Sequence, residues 1–191
     1  MPFNKAIEKI INIEGGYVND PQDSGGETMA GISRRYNPQW VGWELVDQAK
    51  STNRTPTVEE MWQSIHKFYL DHYWTPIRGN ELLNDDVSLT LFDTAVHMGT
   101  CRAGLYLQQS LNLLNRDKFS WPEILEDGRI GPVTIATLSL CLNEPFGSQH
   151  LINVIQTLRG MHYIQRVRQK PSQERYLRGW LNRRRKLTGV S

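Results

Sequence analysis

Glu14-Gly15-Gly16-Tyr17-Val18-Asn19-Asp20-Pro21 is the stretch at which this chain stops being a helix. Upstream of it, Phe3, Ile7, Ile10 and Ile11 recur at helical spacing, which predicts a helix over residues 3–14 with one buried stripe. Gly15-Gly16 ends that helix, because glycine enters the left-handed conformation that closes helices. Residues 17–32 are rich in Gly, Asp, Asn and Pro and read as a loop or short irregular hairpin. Glu14 continues the Ile7, Ile10, Ile11 face, so its carboxyl points towards the core, where an ionised group without a partner is costly. Asp23 follows nine positions after Glu14, and Thr28 five after that.

This arrangement suits the cleavage of a glycosidic bond. That reaction needs a protonated carboxyl to donate to the leaving oxygen and a way to meet positive charge at the anomeric carbon. Glutamate in water ionises near about pH 4.3, and a site among apolar groups favours the protonated form of a carboxyl. Glu14 is the candidate general acid. Asp23, on a polar loop, is the candidate second carboxylate, orienting an attacking water or stabilising the oxocarbenium-like state. The Thr28 hydroxyl can hold that water, and Gly25, Gly26 and Gly31 let the loop pass close to substrate. A helix-terminal Glu with a turn Asp and Thr beside it is also a common structural arrangement, and spacing alone leaves both readings standing.

The rest of the chain keeps a helical pattern. Thr57 followed by Glu59 and Glu60 predicts a capped helix near 58–73, with Met61, Trp62, Ile65, Phe68 and Tyr69 on its apolar face. Asp85-Asp86 precede another, roughly 87–114, with Gly99 as a point of interruption. Asp127-Gly128-Arg129-Ile130-Gly131-Pro132 is a turn that opens a helix at 132–142, and helices near 148–169 and 172–186 complete the pattern. Nothing alternates at period two for long, so the class is mainly α, a helical fold with a short irregular hairpin after the first helix.

At 191 residues and 22.1 kDa the chain makes one moderate domain or two small ones. No run approaches the roughly 18 apolar residues of a membrane span. Met1-Pro2-Phe3-Asn4-Lys5 lacks the apolar core of a signal peptide, so a target outside the cytoplasm implies another component that carries the protein there. Cys101 and Cys141 are too few for a disulfide framework and are expected as buried free thiols. His66 and His72 stand six apart with no third ligand at zinc-site spacing, so no metal site is expected. The chemistry calls for no cofactor. The net charge of +2 hides an asymmetry, since residues from His150 to Ser191 hold ten Lys/Arg against one acid, Glu174. Such a tail touches an anionic polymer or packs on the acidic body of the protein. Arg183-Arg184-Arg185-Lys186 within it reads as the solvated end of a helix. Without a recognisable motif or interleaved aromatic and basic residues, nucleic acid is not an expected partner.

Glu14-Gly-Gly-Tyr-Val-Asn-Asp-Pro, then Asp23-Ser-Gly-Gly-Glu-Thr28 and Gly31-Ile32, resembles the start of glycoside hydrolase family 108. Those are N-acetylmuramidases found among phage endolysins and secretion-associated wall hydrolases. The resemblance implies a lysozyme-like fold, peptidoglycan glycan strands as substrate and Glu14 as the catalytic acid. The order Glu, Asp, Thr also resembles the triad of the phage-type lysozymes, with one residue fewer between Asp and Thr. Leu91-Phe92-Asp93-Thr94-Ala95-Val96 is similar to the family's helix after the catalytic segment. Asp127-Gly128, Gly131-Pro132-Val133-Thr134 and Gly179-Trp180-Leu181-Asn182-Arg183 resemble its C-terminal predicted peptidoglycan-binding region. The chain departs from the pattern at Ala30, where members often carry an aromatic, and at His97, where they often carry Asn.

On this reading residues 1–96 form the catalytic region and 97–191 a helical peptidoglycan-binding region packed against it, since no linker separates them. The implied activity is cleavage of the β-1,4 bond between N-acetylmuramic acid and N-acetylglucosamine, in lysis or in secretion across the wall, with a holin or export machinery as partner. Sugar rings stack on aromatic faces, and Tyr17, Trp40, Trp43 and Tyr73 lie in segments suited to lining a cleft, which makes Tyr17, Trp43 and Tyr73 candidate substrate-binding residues, with core packing as the alternative for each. Asp93 on an apolar helix needs a partner if buried and can brace the site through a backbone or arginine contact. His97, one turn on, pairs with it or tunes the groove. Two rival functions remain open at this point, a lytic transglycosylase and a non-catalytic wall-binding module.

Overall fold

A computed structural model describes residues 1–19 and 26–188, the last five by backbone alone. Asp23 therefore lies outside the described residues. Among those described, eight helices and one three-stranded antiparallel sheet make the mainly α fold that the sequence indicated. Packing divides the chain into two units, Ile7–His72 on the one hand and Met1–Ala6 with the chain from Tyr73 onward on the other.

Helix α1 (Phe3–Glu14) buries Phe3, Ala6, Ile7, Ile10 and Ile11, the stripe that its spacing predicts. The Gly15 N–H closes it on the Ile11 carbonyl at 2.9 Å. Strands β1 (Tyr17–Asn19), β2 (Glu27–Met29) and β3 (Ile32–Ser33) follow, with Tyr17 opposite Met29 and Met29 opposite Ile32. Helix α2 (Gly42–Ser51) has no counterpart in the sequence reading. It buries only Trp43, Val46 and Ala49 beyond its first residue, too thin a stripe to stand out among Glu44, Asp47, Gln48 and Lys50. Before helix α3 (Trp62–Tyr69), Thr57 and Glu60 cap each other: the Glu60 N–H donates to Thr57 Oγ1 at 3.3 Å and the Thr57 N–H to Glu60 Oε2 at 3.1 Å. Regular helix starts four residues later than expected because residues 58–61 form turns, and it ends in a widened π turn over Leu70–Trp74.

In the other unit, the single helix expected at 87–114 is two, α4 (Asp85–Met98) and α5 (Thr100–Leu114). Gly99 stands between them at φ +92° and ψ 151°, far from helical values and open only to glycine. Asp85 and Asp86 lie inside the first turn of α4, where the Asn84 side chain caps the Asp86 and Val87 N–H groups. Helices α6 (Pro132–Asn143), α7 (Gly147–Gln169) and α8 (Glu174–Thr188) follow. Gln108 of α5 clamps the Asp127-Gly128-Arg129 turn. Its Nε2 donates to Asp127 Oδ1 at 2.9 Å and to the Arg129 carbonyl at 3.0 Å, and its Oε1 accepts the Gly128 N–H at 2.7 Å. Phe3, Trp74 and Phe92 form an aromatic knot with centroids 5.2–5.8 Å apart. Both cysteines are free, but Cys101 is exposed rather than buried because the first turn of α5 turns it outward. Burial pushes the Cys141 thiol up to about 11. No described helix is long and apolar enough to cross a membrane.

Candidate active site

Glu14 is the last residue of α1 and is half-buried. Its carboxylate meets the turn that joins β2 to β3. That turn has two residues, Ala30 at φ +48° and Gly31 at φ +75°, the left-handed pair that matches the twist of a tight hairpin. A Cβ on Gly31 would stand 2.8 Å from Glu14 Oε2 and 3.0 Å from the Tyr69 hydroxyl. Gly31 is therefore required twice, for its backbone conformation and for the close approach of the carboxylate. Buried Tyr69, at the end of α3, donates its hydroxyl to the Ala30 carbonyl at 2.7 Å and so fixes the turn. The end of one helix, one hairpin turn and the end of a second helix thus converge on the Glu14 carboxyl. Thr28 is half-buried on β2, opposite Val18 and Ser33, two residues before this turn begins. By strand alternation it faces away from Glu27 and Met29.

Glu27 has a different environment. Its carboxylate accepts hydrogen bonds from the Tyr17 hydroxyl and Lys50 Nζ, both at 2.7 Å. Arg34 Nε stands 2.6 Å from Oε2 as an ion pair, without the angle of a hydrogen bond. Burial pushes the Glu27 carboxyl up, but the hydrogen bonds from Lys50 and Tyr17 and the Arg34 charge prevail and hold it below the ordinary value. It is an anion fixed by three partners and is unsuited to giving up a proton. Arg34 also binds Asp47 through both terminal nitrogens, at 2.6 and 3.0 Å, and lies 4.5 Å over the Trp43 ring. Burial, and then the bond to Glu27, raise the Tyr17 hydroxyl above its usual range, so this phenol stays protonated.

The remaining sequence candidates have separate locations. Trp43 is 4% exposed, its indole N–H is bonded to the Asn37 carbonyl at 2.7 Å and its face is covered by Arg34, so it is a packing residue. The same unit holds a cavity of about 610 Å³ lined by Tyr36, Trp40, Phe68 and His72 among others, but not by Glu14, Tyr17 or Thr28. Tyr73, Asp93 and His97 belong to the other unit, where Tyr73 is half-buried. Asp93 is fully buried and accepts from Arg159 Nη2 and Arg183 Nε, each at 2.6 Å. Arg183 thus corrects the reading of its basic run as a solvated helix end. His97 packs its ring at 5.7 Å from Tyr163 and 6.4 Å from Trp180. Burial, followed by the charges of Arg183 and Arg159, lowers it to about 4, and it is neutral near pH 7.

Glu27, Arg34 and Tyr69 were missed as builders of the hairpin site, and Arg159 as the brace of Asp93. Tyr69 contributes to the apolar face of α3 and looks like packing, and 39 positions separate it from the turn it holds. Only the doubled role of Gly31 leaves a trace in the sequence, as the glycine that follows the hairpin strand.

Residues 7–99 match the Glycosyl hydrolase 108 family, and residues 102–185 match the Predicted Peptidoglycan domain. Among solved structures the chain is similar to SagA of Brucella abortus, with 23% identity and a TM-score of 0.65 over 98% of this chain and 92% of that one. At that identity the likeness concerns the fold alone. No curated protein matches the chain. The half-buried glutamate at the end of α1 lies inside the first matched region and the Asp127-Gly128 turn inside the second. Residues 7–99 therefore form a glycosyl hydrolase 108 domain and residues 102–185 a predicted peptidoglycan domain, and the protein is a glycoside hydrolase directed at peptidoglycan.

Proposed function

We propose that the protein is an N-acetylmuramidase that cuts the β-1,4 bond between N-acetylmuramic acid and N-acetylglucosamine. The observation that carries this reading is the seat of Glu14, half-buried at a rigid helix end and pressed against Gly31 beside the Tyr69 hydroxyl. Glu14 donates its proton to the leaving glycosidic oxygen. Asp23, with the Thr28 hydroxyl, orients the water that attacks the anomeric carbon. Bond cleavage then leaves a reducing muramic acid end and a free 4-hydroxyl on the glucosamine. The region of residues 97–191 holds the wall, and the enzyme works in the periplasm or cell wall. Its use is in lysis, released by a holin, or in secretion, delivered by export machinery.

Digestion of purified peptidoglycan by wild type and Glu14→Gln, with mass spectrometry of the fragments, tests this. Wild type should release reducing muramic acid ends, and the variant should lose on the order of 10²–10⁴ in rate, the contribution of a general acid. Anhydro-muramic ends would make the protein a lytic transglycosylase. Equal release from both proteins would remove Glu14 from the chemistry, and no release from either would leave a wall-binding module.

A further inference from the structure

In the unit from Tyr73 onward a cavity of about 300 Å³ is walled by Arg102, Arg166, His97, His162, Tyr163 and Trp180. A smaller one of about 100 Å³ shares Tyr163 and Trp180 with it and adds Arg159. Arg159 is 2% exposed, and beyond its bond to Asp93 its Nε and Nη1 have no partner among the described residues. Charge in this place is out of balance. Asp93, the carboxylate nearest His97, is already held by Arg159 and Arg183. Neither Arg102 nor Arg166 has a carboxylate at ion-pair distance among the described residues. The walls thus carry uncompensated positive charge, and after burial it is the charge of Arg102 and Arg166 that lowers His162.

The cavity also has a flat apolar wall. Trp180 stacks on Tyr163 at 5.4 Å and 29° and on Tyr176 at 6.1 Å and 23°, with the Arg166 guanidinium 5.9 Å from its ring centre. Its indole N–H has no hydrogen-bond partner among the described residues. Guanidinium groups match a carboxylate with paired donors, and an aromatic face takes the aliphatic body that bears it. At about 300 Å³ the space is at the low end for a ligand pocket, enough for a small group and too small for a polymer strand.

We propose that this cavity binds a free carboxylate of the short peptides carried by muramic acid, with Arg102 and Arg166 on the carboxylate and Trp180 and Tyr163 on the side chain beside it. The proposal rests on the reading that peptidoglycan is the target. Within that polymer the sugars are largely neutral and the peptide carboxylates are the abundant anions, so a cationic, aromatic cavity selects the peptide over the glycan.

Calorimetric titration of the full chain with the free tetrapeptide L-Ala-D-Glu-diaminopimelate-D-Ala, its fully amidated form and inorganic phosphate tests the assignment. The acid should bind at least tenfold more tightly than the amide and than phosphate. Arg102→Gln/Arg166→Gln should bind the acid at least tenfold more weakly with an unchanged unfolding temperature. In the wild type, the bound carboxylate offsets the arginine charges, so the His162 ring followed by NMR should titrate at higher pH with peptide present. That readout and the amide comparison decide the matter even if the double variant does not fold. Equal binding of acid and amide, or no binding of the tetrapeptide, overturns the proposal. Phosphate competing as well as the peptide also overturns it, by making this a general anion site such as a phosphate-bearing wall polymer would use. The titration needs no cleavage, so tight peptide binding with an inert Glu14 site would sink the muramidase reading alone.

Discussion

Glu14 and Asp93 are both carboxylates on the inward side of a helix, and the chain treats them in opposite ways. Asp93 is fully buried between two guanidinium groups at 2.6 Å. Glu14 is half-buried, with an uncharged glycine turn and a phenol hydroxyl against it. A carboxylate clamped by two arginines is a fixed anion whose work is to tie α4, α7 and α8 together. Glu14 instead sits at the end of a helix, against a turn that only glycine permits, inside the region that matches the hydrolase family. The hairpin unit repeats the contrast internally: Glu27, twelve positions after the Gly15 that closes α1, is ringed by Tyr17, Arg34 and Lys50 and braces the sheet as Asp93 braces the helices. Paired cations thus mark Asp93 and Glu27 as braces of the fold, and the close approach to the Gly31 turn marks the candidate catalyst.

The largest expected effect on stability is at Asp93. Asp93→Leu leaves Arg159 buried without its counter-charge, which should cost about 3–5 kcal/mol in urea unfolding. Because the two residues share one interaction, Asp93→Leu together with Arg159→Met should cost clearly less than the sum of the single changes. A loss of less than about 1 kcal/mol for Asp93→Leu would break the comparison, since the ion cluster would then not be a brace.

Acid should separate the two regions next. His97 takes up its proton at about 4 in the folded protein against 6.5 for the ordinary side chain. Between those values the unfolded chain binds a proton that the folded one refuses. The stability tied to neutral His97 is fully present above pH 6.5 and is lost as pH falls towards 4, up to about 3 kcal/mol. His162, lowered for the same reasons, adds in the same direction. Glu27 behaves differently, because its folded value lies below 4.5, so its contribution persists until the pH falls through that range. The region from Tyr73 onward should therefore loosen first on acidification and the hairpin later. Thermal unfolding of wild type and His97→Gln between pH 7 and pH 4 checks this. The variant should show a flatter dependence, and identical slopes would remove His97 from the account.

Much of this contrast could be read from the residues, and the part that could not has a physical reason. The α1 stripe, its glycine stop and the break at Gly99 are local, written within one or two turns of chain, and all three appear in the structure. The glycoside hydrolase family was legible from the motif that begins at Glu14. The partners of the carboxylates were not. Lys50 reaches Glu27 across 23 positions, Arg159 reaches Asp93 across 66 and Arg183 across 90, and no periodicity links such pairs. Helix α2 stayed hidden because a helix that buries so few side chains has almost no hydrophobic signature. Cys101 looked buried because it lies in an apolar stretch of sequence, while the helix turns it to the outside.

The finest test compares two glycines, one from each region. Gly31 and Gly99 both hold positive φ, +75° and +92°, so alanine at either is strained by about 1–3 kcal/mol. They differ in what surrounds them. A Cβ at Gly99 meets nothing within 4 Å, whereas one at Gly31 meets the Glu14 carboxylate at 2.8 Å and the Tyr69 hydroxyl at 3.0 Å. Both substitutions should thus lower the unfolding temperature by similar amounts, but only Gly31→Ala must move Glu14 aside. Displacement of a reacting group by about 1 Å can cost on the order of a hundredfold in rate, so peptidoglycan cleavage should fall steeply in Gly31→Ala and little in Gly99→Ala. If both variants lose stability alike and cleave alike, the hairpin turn serves only the fold, and the close approach of Glu14 to Gly31 is packing without a catalytic purpose.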